Sequence, residues 1–359
     1  MSKIYEIFGS DAHAMTVSLM EAADVVSVIP KNASVALKPN LVLAASPENG
    51  ATTHPGVLSG CIEYLQSNGF EDISIMESSW VGAGTAESFH AAGYDEICSV
   101  YNVPFYDLKK DSTVSLPTPF RPIDVSKRAA SSDFLIDLPV LKGHCQTNMT
   151  CALKNLKGCL PDREKRKFHS DGLIKPIAAL GAALKPSLII VDSICGDLNF
   201  EEGGNPVETN RMFLGFDAVQ IDTYGCQLMG LSLEDVPYIS LAESWGAGST
   251  DLLPGDIIRL NAPEDGSVYP EPSGLVKQLT RNVLADQACS ACFAALVRAL
   301  YQIKDAGVAV DHEIFIGQGW RERAVSGFGC GNCCRSAPCG VKGCPPSSSA
   351  IIEALKQTK

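Results

Sequence analysis

Residues 33–40 read ASVALKPN, residues 56–69 GVLSGCIEYLQSNG and residues 71–79 EDISIMESS, and this succession decides the fold. The first and third segments are short apolar runs with β-forming residues, the pattern of buried strands. The middle one repeats its apolar positions at helical spacing and closes on Asn68-Gly69, a helix-stop pair. Strand, helix and strand in that order build a parallel sheet. Outward from there, TAESFHAAG at 85–93 reads as a helix ending at Gly93, and DFLIDLPVLKGH at 133–144, SLIIVDSI at 187–194 and MFLGFD at 212–217 as strands. Helical patterns occupy 171–184, 217–229 and 233–245, and the proline-rich text 116–122 is a loop. The expected fold is α/β, a mostly parallel sheet with flanking helices. NAPEDGSVYPEPSG at 261–274 has turn chemistry without periodicity, so it separates a first domain, 1–262, from a smaller cysteine-rich α/β domain, 275–359. The second domain is expected to hold a helix from Asp286, the strand EIFIG, a cysteine loop and a final helix. No internal repeat is evident.

At 359 residues the chain can bury a sizeable core without staples. Its formal charge of -12 argues against nucleic acid or an anionic membrane as partner. No stretch approaches the ~20 apolar residues of a membrane span, and the opening MSKIYEIFGSDAHAMTVSLM lacks the layout of a secretory signal. A cytoplasmic location is therefore expected. Structural disulfides are rare there, so fourteen cysteines point to metal binding or to inert buried thiols.

At Lys38–Asn40 (KPN), Gly50–Pro55 (GATTHP), Leu138–His144 (LPVLKGH), Thr150–Gly158 (TCALKNLKG) and Lys167–Gly172 (KFHSDG) the chain resembles the domain-of-unknown-function 362 family. The matching text runs from Lys38 to about Gly248, and the block from Leu138 to His169 is the most specific part. Members of that family are described as uncharacterised iron–sulfur proteins, so the resemblance implies fold and cofactor more than reaction. Many members carry a ferredoxin module with regular CxxCxxC runs, and this chain lacks one. The tail VKGCPPSSSAIIEAL resembles the cluster-binding GCPP segment of hydrogenase small subunits and a related complex I subunit, which implies a ligand role for Cys344.

Seven of the fourteen cysteines fall in the last 71 residues. Cys289 and Cys292 form a CxxC at the start of an apolar helical run, and Cys330, Cys333, Cys334 and Cys339 crowd a glycine-rich loop. Thiolates are soft ligands that select iron–sulfur clusters or zinc. A [4Fe–4S] cluster takes one thiolate per iron and tolerates wide sequence separation, and amides at a helix N-terminus stabilise anionic sulfur. Cys289, Cys292, Cys333 and Cys344 are the expected ligands, with Cys330 competing for the place of Cys333. Zinc on Cys289, Cys292, Cys330 and Cys333 is the alternative. The remaining Cys61, Cys98, Cys145, Cys151, Cys159, Cys195 and Cys226 read mostly as small buried hydrophobes.

From Lys142 to His169 the charges sum to +5, against -17 for the rest of the chain. A local positive field suggests an anionic small molecule. Parallel sheets bind ligands outside the carboxyl ends of their strands, where Lys38, Asn40, Glu77, Ser78, Lys142 and Asp192 are all expected. Lys38, Asn40, Lys142, His144, Lys154 and Asn155 are the candidate substrate-binding residues, and His144 and Lys142 the catalytic candidates. REKRK at 163–167 reads as a solvated loop, His54 as a helix cap, Asp217 as another cap, and Asp222 as facing solvent. His13, His90 and His312 are assigned no role. No nucleotide-binding loop, GxSxG elbow or HExxH is present. GQGWRERAVSGFG is glycine-rich but leads into cysteines rather than a helix.

These features lead to the expectation of a redox enzyme or electron-transfer protein that uses the cluster, an anionic small molecule and a redox partner protein. A cluster- or metal-delivery protein, or a non-redox iron–sulfur hydro-lyase, are the alternatives.

Overall fold

A computed structural model describes residues 3–263 and 274–357. The described chain divides into two compact units, one of residues 3–165 and 174–263, the other of 166–173 and 274–357. The expected boundary segment, 261–274, lies mostly outside the described residues.

The first unit is built on an eight-stranded sheet. In chain order its strands are β1 (Ile4–Phe8), β2 (Val35–Pro39), β3 (Ile73–Glu77), β4 (Phe105–Asp107), β5 (Phe134–Leu138), β6 (Leu188–Asp197), β7 (Pro206–Gly215) and β8 (Ile257–Arg259). Their spatial order is β8-β1-β7-β6-β5-β2-β3-β4. The run β6-β5-β2-β3-β4 is parallel throughout, and β7 lies antiparallel to both β6 and β1. The mostly parallel α/β class is as expected. The edge holding β1 was not foreseen, because a five-residue strand beside the chain start carries too little pattern to stand out.

Helices α1 (Ala12–Ala22) and α2 (Pro55–Ser67) join the inward residues of five strands in one apolar core. Leu19, Leu58, Ile62 and Leu65 are fully buried there with Leu37, Ile136 and Ile190. Burying such a side chain stabilises the fold by roughly 1.5–3 kcal/mol. Side chains alternate along a strand, so on β2 and β5 the residues Lys38 and Asp137 point to the opposite face from Leu37 and Ile136. In register they are direct neighbours.

Three expectations need correction. The run 133–144 is not one strand, because Pro139 cannot donate to a ladder; Lys142–His144 instead pairs with Asn148–Thr150 in a separate hairpin. REKRK is not a loop but part of helix α4 (Asp162–Ser170), following the short helix α3 (Ala152–Asn155). Asp222 does not face solvent; on helix α6 (Ala218–Leu228), which follows α5 (Ile174–Ala183), it is fully buried. The two expected caps are present: His54 Nδ1 accepts from the Gly56 amide and Asp217 from the amides of Val219 and Gln220.

The second unit has a parallel four-stranded sheet, β9 (Val283–Ala285), β10 (Ile314–Ile316), β11 (Phe328–Cys330) and β12 (Cys339–Val341). Helices α8 (Ser290–Asp305) and α9 (Ser348–Gln357), which follow α7 (Tyr238–Ser244) of the first unit, pack together in this second unit. Among the described residues, no helix is long and apolar enough to cross a membrane.

Candidate functional site

In the first unit the strand order turns back between β2 and β5. Chain progress leads outward through β3 and β4 on one side and through β6 on the other. Such switch points open crevices at the carboxyl ends of parallel strands, and Lys38 and Asp137 sit at those ends.

All six candidate substrate-binding residues come together here, and all are buried. Lys38 Nζ lies 2.5 Å from Glu77 Oε2 and donates to the Pro39 oxygen. Burial works against the Lys38 ammonium, but Glu77 and Asp137 outweigh it and raise its pKa. Asn155 donates to Asp137 Oδ1 at 2.8 Å and accepts from Asn40 Nδ2 at 2.8 Å. Asp137 Oδ2 has no hydrogen-bond partner among the described residues. Burial pushes the Asp137 carboxyl up to about 7 despite Lys38. Lys142 Nζ donates to Asn40 Oδ1 and to the main-chain oxygens of Ala51 and Glu201, and burial lowers its pKa to about 7.

Glu201, which sequence reasoning missed, draws the cluster together. Its carboxylate pairs with Lys154 Nζ and lies 2.8 Å from His144 Nε2. Burial pushes that carboxyl up, but His144 and Lys154 overcome the effect and hold it well below the ordinary range. His144 Nδ1 accepts the amides of Gln146 and Thr147, so the neutral ring carries its proton on Nε2, towards Glu201. Burial lowers the His144 pKa to about 4.

The +5 of the segment 142–169 therefore does not stand as an unopposed field. Glu201, from a distant part of the chain, pairs with Lys154 in the interior, and Glu77, paired with Lys38, also acts on Lys165. The only sequence hint of Glu201 was EEGGN, an acidic turn after a strand, and nothing local aims it at Lys154.

Asp222 accepts the amides of Ala152 and Leu153 and so caps α3 from another helix, fixing where Lys154 and Asn155 point. Gly158 matters for a similar reason. A Cβ there would lie 1.8 Å from Glu77 Oε1, so only glycine lets this turn approach the carboxylate. Of the other expected crevice residues, Ser78 bonds the oxygens of Gly158 and Leu160. Asp192 accepts the His54 amide and lines a separate cavity of about 190 Å³ with His54, Glu48, Cys195 and Glu208.

In the second unit Cys289 is the N-cap of α8, and Cys292 sits in its first turn. The loop after β11 carries Cys333. It is tied to the GCPP turn by the Asn332 amide, which donates to the Gly343 oxygen, and by the Gly343 amide, which donates to Asn332 Oδ1, both at 2.9 Å. Cys344 thereby comes within electrostatic reach of Cys289 and Cys292. Burial raises the Cys289 thiol, and the nearby Cys333 and Cys344 add to the rise. Cys292 is raised by burial and then by Cys289, Cys330, Cys344 and Cys333. Cys330, buried at the end of β11, is raised to about 12 by burial and then Cys334, and it acts in turn on Cys292.

All fourteen cysteines are free thiols. Among the described residues no group of three or more His, Cys, Asp or Glu is gathered as a ready site for a metal ion. Of the scattered cysteines, Cys61, Cys151, Cys159 and Cys226 are buried, and Cys98, Cys145 and Cys195 only partly so.

A family model described as Domain of unknown function (DUF362) matches residues 35–227, more than half of the chain. A thylakoid-associated protein of Synechocystis sp. is 26% identical over 224 residues, covering 60% of this chain and 69% of its own length. The lactate racemase apoprotein of Thermoanaerobacterium thermosaccharolyticum superposes with a TM-score of 0.45 at 12% identity, over 63% of this chain and 56% of that one. The chain thus spans little more than half of that structure.

Proposed function

The chain belongs to the domain-of-unknown-function 362 family, and we propose that it is a redox protein whose second unit binds a [4Fe–4S] cluster through Cys289, Cys292, Cys333 and Cys344. The observation that carries this reading is the position of Cys344. It is remote in sequence from Cys289 and Cys292, yet it acts electrostatically on both. Four thiols drawn from a helix start, a loop and a Gly-Cys-Pro-Pro turn match what such a cluster needs, one thiolate for each iron. When bound, a cluster of this kind accepts and releases single electrons at a potential set by its surroundings.

The anionic small molecule is assigned to the buried cluster of the first unit. Lys154 and His144 there already hold one carboxylate, that of Glu201. An incoming carboxylate or phosphate is recognised by the same donors, with His144 and Lys142 as the groups that handle protons. Lys154→Ala then weakens such a ligand while leaving the cluster spectrum unchanged. A reducing compartment such as the cytoplasm suits fourteen free thiols.

Iron and acid-labile sulfide analysis of anaerobically purified protein, with electron paramagnetic resonance of the reduced form, tests the cluster. About four irons per chain are expected. Stoichiometric zinc without sulfide overturns the reading.

A further inference from the structure

We propose that Gln318 and Arg321 tune the reduction potential of the cluster by donating hydrogen bonds to two of its thiolates. The inference rests on the cluster reading above and adds residues that are not ligands. Gln318 Nε2 lies 3.6 Å from Cys289 Sγ, and Arg321 Nε lies 3.4 Å from Cys333 Sγ. Both distances suit an N–H donor on sulfur, whose acceptor contacts are longer than those of oxygen.

The two donors come from one short turn, Gln318–Trp320 with its flanks, and the turn is fastened to the segment that leads into Cys289. Gln318 N donates to the Gln287 oxygen at 3.1 Å and Gly319 N to the Asp286 oxygen at 3.0 Å. Trp320 Nε1 donates to the Leu284 oxygen at 2.9 Å, and its ring stands edge-on to Phe315 at 5.0 Å. Arg321 N closes the turn on the Gln318 oxygen at 3.1 Å. Gly317 allows the approach: its φ is +121°, and a Cβ there would lie 1.9 Å from the Asp286 oxygen. The glycine-rich GQGWR text, which fits no phosphate loop, thus has a physical task. It holds an amide and a guanidinium against two thiols from different parts of the chain.

Donors on ligand sulfur are a recognised control on cluster potential. Reduction adds negative charge to the cluster, part of it on the thiolates. A fixed N–H donor therefore stabilises the reduced form more than the oxidised form and raises the potential. Gln318 acts through its dipole alone. Arg321 adds a positive charge, and because its side chain is exposed, salt screens that part.

The test is a redox titration of the full-length holoprotein, followed by electron paramagnetic resonance at low and high salt, with iron and sulfide counted in each sample. The variants are Arg321→Gln, Arg321→Lys and Gln318→Leu. Each is expected to keep the wild-type iron content and to titrate at a lower potential. The Arg321→Gln shift should shrink at high salt, and the Gln318→Leu shift should not. Arg321→Lys, which keeps the charge but lacks the planar Nε–H, should fall between wild type and Arg321→Gln. If Arg321→Gln fails to hold iron, Arg321→Lys and Gln318→Leu carry the comparison. Variants with full clusters and the wild-type potential overturn the inference while leaving the cluster reading intact. Wild-type protein without iron and sulfide overturns both.

Discussion

Lys165 Nζ lies 2.6 Å from both the main-chain oxygen and the hydroxyl of Ser78, and 2.7 Å from the Ser79 oxygen. An ammonium has three donors, so the three acceptors satisfy it completely. Burial lowers its pKa to about 8, with Glu77 opposing. A residue that reads in sequence as one of several solvated charges is thus a fastener for the end of β3.

Truncating this residue should be costly. Lys165→Ala leaves two buried carbonyls short of a donor, which is expected to cost roughly 1–3 kcal/mol. Lys167→Ala, at an exposed position, should stay within about 0.5 kcal/mol of wild type. Urea unfolding of the two variants checks this, and equal midpoints would contradict the placement of Lys165.

The thiol set makes a sharper distinction. Cys289→Ser, Cys292→Ser, Cys333→Ser and Cys344→Ser should each lower cluster content strongly, because a hydroxyl is a poor ligand for soft metal. Cys61→Ser and Cys98→Ser should not. Cys330→Ser is expected to keep its iron, Cys333 being the proposed ligand; loss of iron there would give the place of Cys333 to Cys330, which also acts on Cys292. Iron and sulfide counts decide the matter, and full iron in Cys344→Ser would remove the GCPP turn from the site.

Lys38 and Glu77 form a buried pair that tolerates little disturbance. Glu77→Ala leaves the ammonium unpaired and should destabilise the protein by about 3–5 kcal/mol. Gly158→Ala should act in the same direction without touching either charge, since its Cβ would lie 1.8 Å from Glu77 Oε1. Thermal unfolding of both variants gives the answer. A Gly158→Ala protein as stable as wild type would mean that the carboxylate can move aside freely.

His144 should make stability depend on pH in a defined window. Its pKa falls from the ordinary 6.5 to about 4 in the folded chain. As pH drops below 6.5 the unfolded chain takes up a proton that the folded chain refuses until about 4, so stability is lost across that window and no further below it. The total is roughly 3 kcal/mol at 1.36 kcal/mol per unit. Asp137, raised to about 7, contributes an opposite slope, so wild type must be compared with His144→Gln. Their difference in unfolding free energy should narrow from pH 6.5 towards 4, and a constant difference would show that His144 is not buried neutral.

Much of the architecture was legible. Runs such as SLIIVDSI and GVLSGCIEYLQSNG carry their period within ten or so residues, because a strand or helix selects its own face locally. The same locality explains the errors. Pro139 ends β5 in the middle of an apolar run, and helix α4 hides in a charged segment where Phe168 is the one buried apolar side chain and Glu164 and Lys165 are buried beside charged neighbours.

Sequence alone determined the α/β class, the family block from Leu138 to His169 and the crowding of seven cysteines near the end of the chain. Tertiary structure decided which charges meet. Lys154 finds Glu201 across 47 positions, and Lys38 finds Glu77 across 39. It also decided that Gln318 and Arg321 reach two thiols. Hydrophobic period is a property of neighbouring residues, whereas the partner of a buried charge depends on strand register and loop path, which local sequence does not encode.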